Sequence, residues 1–284
     1  MPEVASGPDT PAAAPFRMII LAALPLEVRP FLQRSRARRR RGLPWPAWEF
    51  ASGAVRGLLA LSGMGAGAAR EAAARLAAQF RPDLLVSLGF GGALTPELPP
   101  GALVLGESFF KFDPATGVLD LIITPTLPRL IPELLGPLSA AGLAAFSGSI
   151  VSTPYIIHKA GQGGALRSLT LPVLDLESAA VAEVARAEGI PFLGLRAITD
   201  TATEEIPDFL APQDYSGSEP GTVGGFEVLG WLAADPRRLK VLVHLWRRSR
   251  LAAARLAEAL MTLLPLLPEK ITTETQRTPR DTEN

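Results

Sequence analysis

The sequence has no cysteine and only two histidines, His158 and His244. The first absence excludes disulfides and thiolate chemistry. The second leaves no basis for a histidine-rich metal site. An excess of one charge is also missing: 28 basic and 28 acidic side chains give a net charge of zero. Proteins that live on nucleic acid usually carry a basic excess, so no nucleic-acid partner is expected. There is no uninterrupted apolar run of about 18 residues, the length needed to span a membrane. The opening stretch MPEVASGPDTPAAAPF holds Glu3 and Asp9 but no basic cluster and no apolar core, so it does not read as a secretory signal. A cytoplasmic location is the resulting expectation.

What is present supports a packed domain. With 48% hydrophobic and 20% charged residues, a large core can form and wholesale disorder is excluded. Composition divides the chain into a disordered leader (1–16), one domain (17–265) and a disordered polar tail (266–284). Short apolar runs read as buried strands: Met18–Leu24, Leu58–Ser62, Leu84–Leu88, Ala102–Leu105, Ser149–Ser152, Val173–Leu176 and Phe192–Ile198. Alanine-rich Gly67–Phe80 and Ser178–Glu188 read as connecting helices. This alternation predicts an α/β fold around a parallel or mixed sheet. Pro236–Leu263 predicts a long C-terminal amphipathic helix, with Leu239, Leu242, Val243, Trp246, Leu251, Ala254, Leu256 and Leu260 near its packing side. Thr203–Gly230 reads as a long loop of the kind that forms lids. The basic run Arg34–Gly42 reads as a solvated loop, or as a contact for anionic lipid or nucleic acid.

Ligands of open α/β sheets bind beyond the carboxyl ends of strands, and polar residues collect there. Glu27 and Arg29 follow the first run, and the glycine loop Gly63–Ala69 follows the second. Gly89–Leu94 follows the third, Glu177 follows Val173–Leu176, and Thr199 and Asp200 close the last. The glycines suit close backbone approach to a ligand or simply tight turns. Their spacing is not the dinucleotide fingerprint.

Four blocks carry a resemblance: AALPLEV (Ala22–Val28), SGMG (Ser62–Gly65), LGFGGAL (Leu88–Leu94) and LDLESAAVA…PFLGLRAITD (Leu174–Asp200). In this order the sequence resembles the nucleoside phosphorylase and nucleosidase superfamily, on the branch of the methylthioadenosine/S-adenosylhomocysteine nucleosidases. The C-terminal segment is similar in composition to the hopanoid-associated phosphorylase branch. The resemblance implies a three-layer α/β/α fold with a central mixed sheet and cleavage of a purine N-glycosidic bond. It implies no metal or organic cofactor, and a homodimer. Asp200 matches the acid that protonates the leaving base, a role for which burial would have to raise its pKa. Glu177 matches the carboxylate on the ribose hydroxyls. Glu27 matches the base that takes a proton from the attacking water, with Arg196 beside that water. Substrate contacts are implied at Gly63, Phe90, Gly91, Tyr155, Ile156, Asp175 and Leu176. Phe90 stands where relatives keep a small hydroxyl residue, and Leu176 where they keep methionine.

Each residue also has a plainer reading. Asp200 could cap a turn, Glu177 could serve a helix N-terminus, Glu27 could be an exposed first-turn acid, and Arg196 could bridge to Asp175 or Asp200. A carboxylate after the first strand repels an anionic co-substrate, which favours water over phosphate as the nucleophile. Phosphorolysis, including of an adenosyl lipid, is the alternative. A pocket that binds a nucleoside without turnover, and a membrane-surface protein, are readings of another class.

Overall fold

A computed structural model describes residues 14–124, 130–160, 164–206 and 238–277. The chain opens with β1 (Phe16–Ala22) and α1 (Pro25–Arg34), followed by β2 (Arg38–Arg40), β3 (Ala47–Ser52) and β4 (Val55–Leu61). Helix α2 (Ala66–Phe80) leads to β5 (Leu84–Ala93), β6 (Leu103–Asp113) and β7 (Val118–Ile122). Next come α3 (Leu130–Ala140), β8 (Ala145–Ser152), β9 (Val173–Asp175), α4 (Ser178–Ala187) and β10 (Phe192–Asp200). Helices α5 (Arg238–Leu263) and α6 (Leu267–Arg277) end the described chain.

The strands form one mixed sheet. Strand β1 lies parallel to β4 and β5, and β5 lies parallel to β10. The order β10-β6-β8-β9-β5 closes on itself, because β5 pairs with both β9 and β10. Side chains alternate across β1: Met18, Ile20 and Ala22 join a core with α1, α3 and α5, whereas Ile19 and Leu21 join one with α2 and α4. That alternation makes the three layers. Helix α2 presents Ala69, Ala72, Ala73 and Leu76 to the sheet. Small side chains there let the helix approach closely, and burying one leucine contributes roughly 1.5–3 kcal/mol.

Several boundaries differ from the sequence reading. Strand β5 does not end at Leu88 but runs through the glycines to Ala93. A Cβ on Gly91 would lie 2.4 Å from Val173, and one on Gly92 2.6 Å from an Asp200 carboxylate oxygen. These glycines therefore sit within the ladder because neighbouring chains press on them, not because the chain turns. The basic run is not wholly loop: Arg38–Arg40 pair with β3 as an exposed edge strand, with Arg39 stacked on Trp48. Helix α3, and strands β3 and β7, lie where no element was expected, while α1 extends the helical turn anticipated at Glu27. The expected tail is helical from Leu267 through Arg277, with Leu267 and Ile271 buried. Along α5, Leu256 and Leu260 are buried as expected, but Val243, Trp246 and Leu251 are exposed. Residues 207–230 of the expected lid, residues 1–13 of the leader, and 278–284 of the tail lie outside the described residues. Among the described residues, no single helix is long and apolar enough to cross a membrane.

Candidate active site

The carboxyl ends of β1, β4, β5, β9 and β10 converge, and two charged clusters form there. The first is built around Arg196, 1% exposed on β10. Its Nε donates to Asp175 Oδ2 at 2.7 Å, and its Nη2 lies 2.6 Å from the same oxygen in an ion pair. Its Nη2 also reaches Ser87 Oγ at 2.7 Å. Asp175 further accepts from Ser152 and from the Ser178 N–H. The bridge to Asp175 anticipated for Arg196 is thus present. No bond links Arg196 to Asp200 among the described contacts.

Glu27 stands on the other side of Arg196. It is buried, not exposed as a first-turn acid would be. Oε2 accepts from the Ala23 and Leu24 N–H groups at 3.0 and 2.8 Å, and Oε1 accepts from the Phe90 N–H at 2.9 Å. Half of this is a helix-start device, since Leu24 precedes α1. The bond to Phe90 reaches across to β5 and fixes the carboxylate over Gly89. Burial pushes the Glu27 carboxyl above its usual range, while the three backbone N–H groups and Arg196 oppose the rise.

Glu177 begins α4 and is partly buried. Its Oε1 accepts from the Gly65 N–H at 2.8 Å, which ties β9 to the glycine turn after β4. Gly63 and Gly65 both hold positive φ, as that turn requires. Burial first, then the charge of Asp175, raises the Glu177 carboxyl to about 7. Glu177, Arg196, Ser62 and Ser87 share a small cavity. Another cavity, of about 690 Å³, lies elsewhere, at the amino ends of β1 and β4 among Arg17, Arg36 and Arg56, and the catalytic candidates do not line it.

The second cluster surrounds Asp200, which is 5% exposed at the tip of β10. Lys159 forms an ion pair with its Oδ2, and Thr199 Oγ1 donates to Oδ1 at 2.7 Å. In register, Gly92 faces Asp200 on one side and Leu174 on the other, so the two clusters adjoin. Of the expected substrate contacts, Tyr155, Ile156 and Leu176 are half-buried near these strand ends. Gly91 is packed under Val173. Phe90 contributes its backbone N–H to Glu27, while its ring packs toward the α1 side of the core. His158 is exposed beside Glu205.

Sequence reasoning missed Ser87 and Lys159. Ser87 is a hydroxyl within an apolar strand, a signal that could have been read. Lys159 carried no sequence signal, because only folding brings it to Asp200. Among the described residues, no group of three or more histidine, cysteine or acidic side chains is placed to hold a metal ion.

Residues 17–216 match the family model described as the phosphorylase superfamily. The chain belongs to that superfamily. It is 28% identical over 206 residues to a 5'-methylthioadenosine/S-adenosylhomocysteine nucleosidase of Geobacillus thermodenitrificans, covering 66% of this chain and 84% of that one. It is 33% identical over 151 residues to a futalosine hydrolase of Streptomyces coelicolor, covering 48% and 64%. The S-adenosylhomocysteine nucleosidase of Streptococcus pyogenes, solved with 5-methylthiotubericidin, superposes with a TM-score of 0.67 at 20% identity, covering 90% of this chain and 99% of that one. The shared fold is therefore that of the phosphorylase superfamily.

Proposed function

We propose that the protein cleaves the N-glycosidic bond of a 5'-substituted purine nucleoside, with water as the nucleophile. The observation that carries this reading is the buried Glu27 carboxylate, locked by three backbone N–H groups beside Arg196. A fixed carboxylate there can take a proton from water but repels phosphate. Arg196 is already engaged by Asp175, and Arg29 is exposed on α1, which further supports water. Water attacks C1′ and gives its proton to Glu27. The C1′–N9 bond breaks with its electron pair leaving on the base. Glu177 supports the positive charge that develops on the sugar. The Asp200 end of the site protonates the leaving base. Both similarity to nucleosidases and to a futalosine hydrolase favours hydrolysis of this bond.

Base release from 5'-methylthioadenosine by the purified protein tests the reading, with Asp200→Asn as the comparison. Adenine release that the variant lacks supports it. No release by the wild type from this or an inosine-type nucleoside refutes it.

Two partner assignments belong to the same proposal. The exposed arginines of β2 suit an anionic membrane surface, and co-sedimentation with phosphatidylserine vesicles tests this. A cytoplasmic homodimer rests on the family resemblance, and light scattering tests the dimer.

A further inference from the structure

The cavity at the amino ends of β1 and β4 takes no part in the chemistry proposed above. Seven residues of β1, about 20 Å of extended chain, separate it from the backbone that holds Glu27. Its floor is apolar, with Met18, Phe50, Leu58 and Pro82 buried in the lining. Its rim is basic. Arg17, Arg36, Arg38 and Arg56 are exposed there, against one acid, Glu49. The whole chain has no net charge, so this excess is local. Glu49 is already engaged by Arg40 at 3.0 Å, and Arg17 lies 3.8 Å from Asp83. Arg56 donates to the Gly53 and Val55 carbonyls. Among the described residues, Arg36 and Arg38 have no ion pair. Arg36 also holds a φ of 52°, a left-handed conformation that costs energy in any residue but glycine. Within the lining, Ser35 closes α1, and its Oγ is buried with no hydrogen-bond partner among the described residues. A hydroxyl left so destabilises the protein on its own, and an acceptor entering the cavity would satisfy it.

We propose that this cavity binds an organic phosphate. Its phosphate group is held among Arg36, Arg38 and the Ser35 hydroxyl, and its apolar body lies against Phe50 and Leu58. A volume of about 690 Å³ is that of a small-molecule site. One guanidinium fork suffices for a carboxylate, whereas a phosphate monoester offers three acceptor oxygens and nearly two charges to several donors. The same chemistry occurs in a soluble phosphate ester and in the headgroup of an acidic lipid. The site stands whether or not the nucleosidase reading holds.

The test titrates the full chain with phenyl phosphate in a calorimeter, with phenol as the control that lacks the charge. In parallel the chain is sedimented with phosphatidylcholine vesicles, plain or carrying phosphatidic acid. Saturable binding of phenyl phosphate but not phenol supports a soluble ligand. Capture only by the phosphatidic acid vesicles supports a lipid headgroup. In either arm, Arg36→Gln with Arg38→Gln should weaken binding about tenfold or more. Both side chains are exposed and make no ion pair among the described residues, so this variant should fold as the wild type does. Ser35→Ala removes the orphaned hydroxyl, so without ligand its melting temperature should equal or exceed that of the wild type. With ligand its gain in melting temperature should be smaller. No binding in either arm would overturn the proposal. So would binding that survives in the arginine variant and is displaced by 5'-methylthioadenosine, which would put the phosphate at the Glu27 end of the sheet.

Discussion

Replacing Gly89 by alanine tests whether the Glu27 position matters for turnover. The added Cβ would stand 2.7 Å from Glu27 Oε1 and 3.3 Å from Arg196 Nη1. Ordinary contact begins near 3.4 Å, so the carboxylate must retreat by about 0.7 Å, on the scale at which misplacement costs about 10²-fold in rate. Retreat is opposed by the three N–H groups that hold Glu27. Strand β5 tolerates alanine, since Gly89 is not among the residues with positive φ. The stability cost should therefore stay near that of one weakened charged hydrogen bond, about 1.5–3 kcal/mol. Gly67→Ala is the control: it lies in α2 with nothing within 4 Å of a new Cβ, and should gain about 0.5–1 kcal/mol. Base-release kinetics and thermal melts on both variants read the result. Gly89→Ala turnover within twofold of wild type would refute the reasoning.

Other outcomes follow from the same geometry. Asp200→Asn should abolish purine turnover with its melting profile cooperative, as base release and calorimetry would show. Arg196→Met leaves Asp175 buried with its charge uncompensated, which should cost about 3–5 kcal/mol in urea unfolding; adding Asp175→Asn should recover part of the loss. Glu177 rises from an ordinary 4.5 to about 7 on folding, so between these values the folded state binds more protons than the unfolded one. Stability should therefore fall as pH rises through that window, and Glu177→Gln should flatten the melting-temperature profile there. Because Glu177 supports the sugar cation as an anion, kcat/KM should rise across the same window toward a plateau above it.

The strand-tip acids were legible because each ends an apolar run, and a buried parallel sheet leaves few other places for charge. Glu27, Asp175, Glu177 and Asp200 are found at strand ends or the first turn beyond, whereas Arg196 lies mid-strand in β10. Their pairing was not legible. That Arg196 reaches Asp175 and Ser87 depends on β10 lying beside β5 and near β9, which the local pattern does not determine. The glycines of β5 looked like a turn because glycine also marks turns; only their neighbours show that close packing is the cause. Lys159 stands in a segment between strands, and nothing near it in the chain announces a partner 41 residues away. Helix α6 was read as tail because its polar residues dominate, although Leu267 and Ile271 suffice to dock it.

The central claim is attack by water at C1′. It is tested most directly by identifying the sugar released from 5'-methylthioadenosine by mass spectrometry, with and without phosphate. The account predicts free methylthioribose at a rate indifferent to phosphate. Methylthioribose 1-phosphate, formed at a rate that climbs with phosphate concentration, would contradict it.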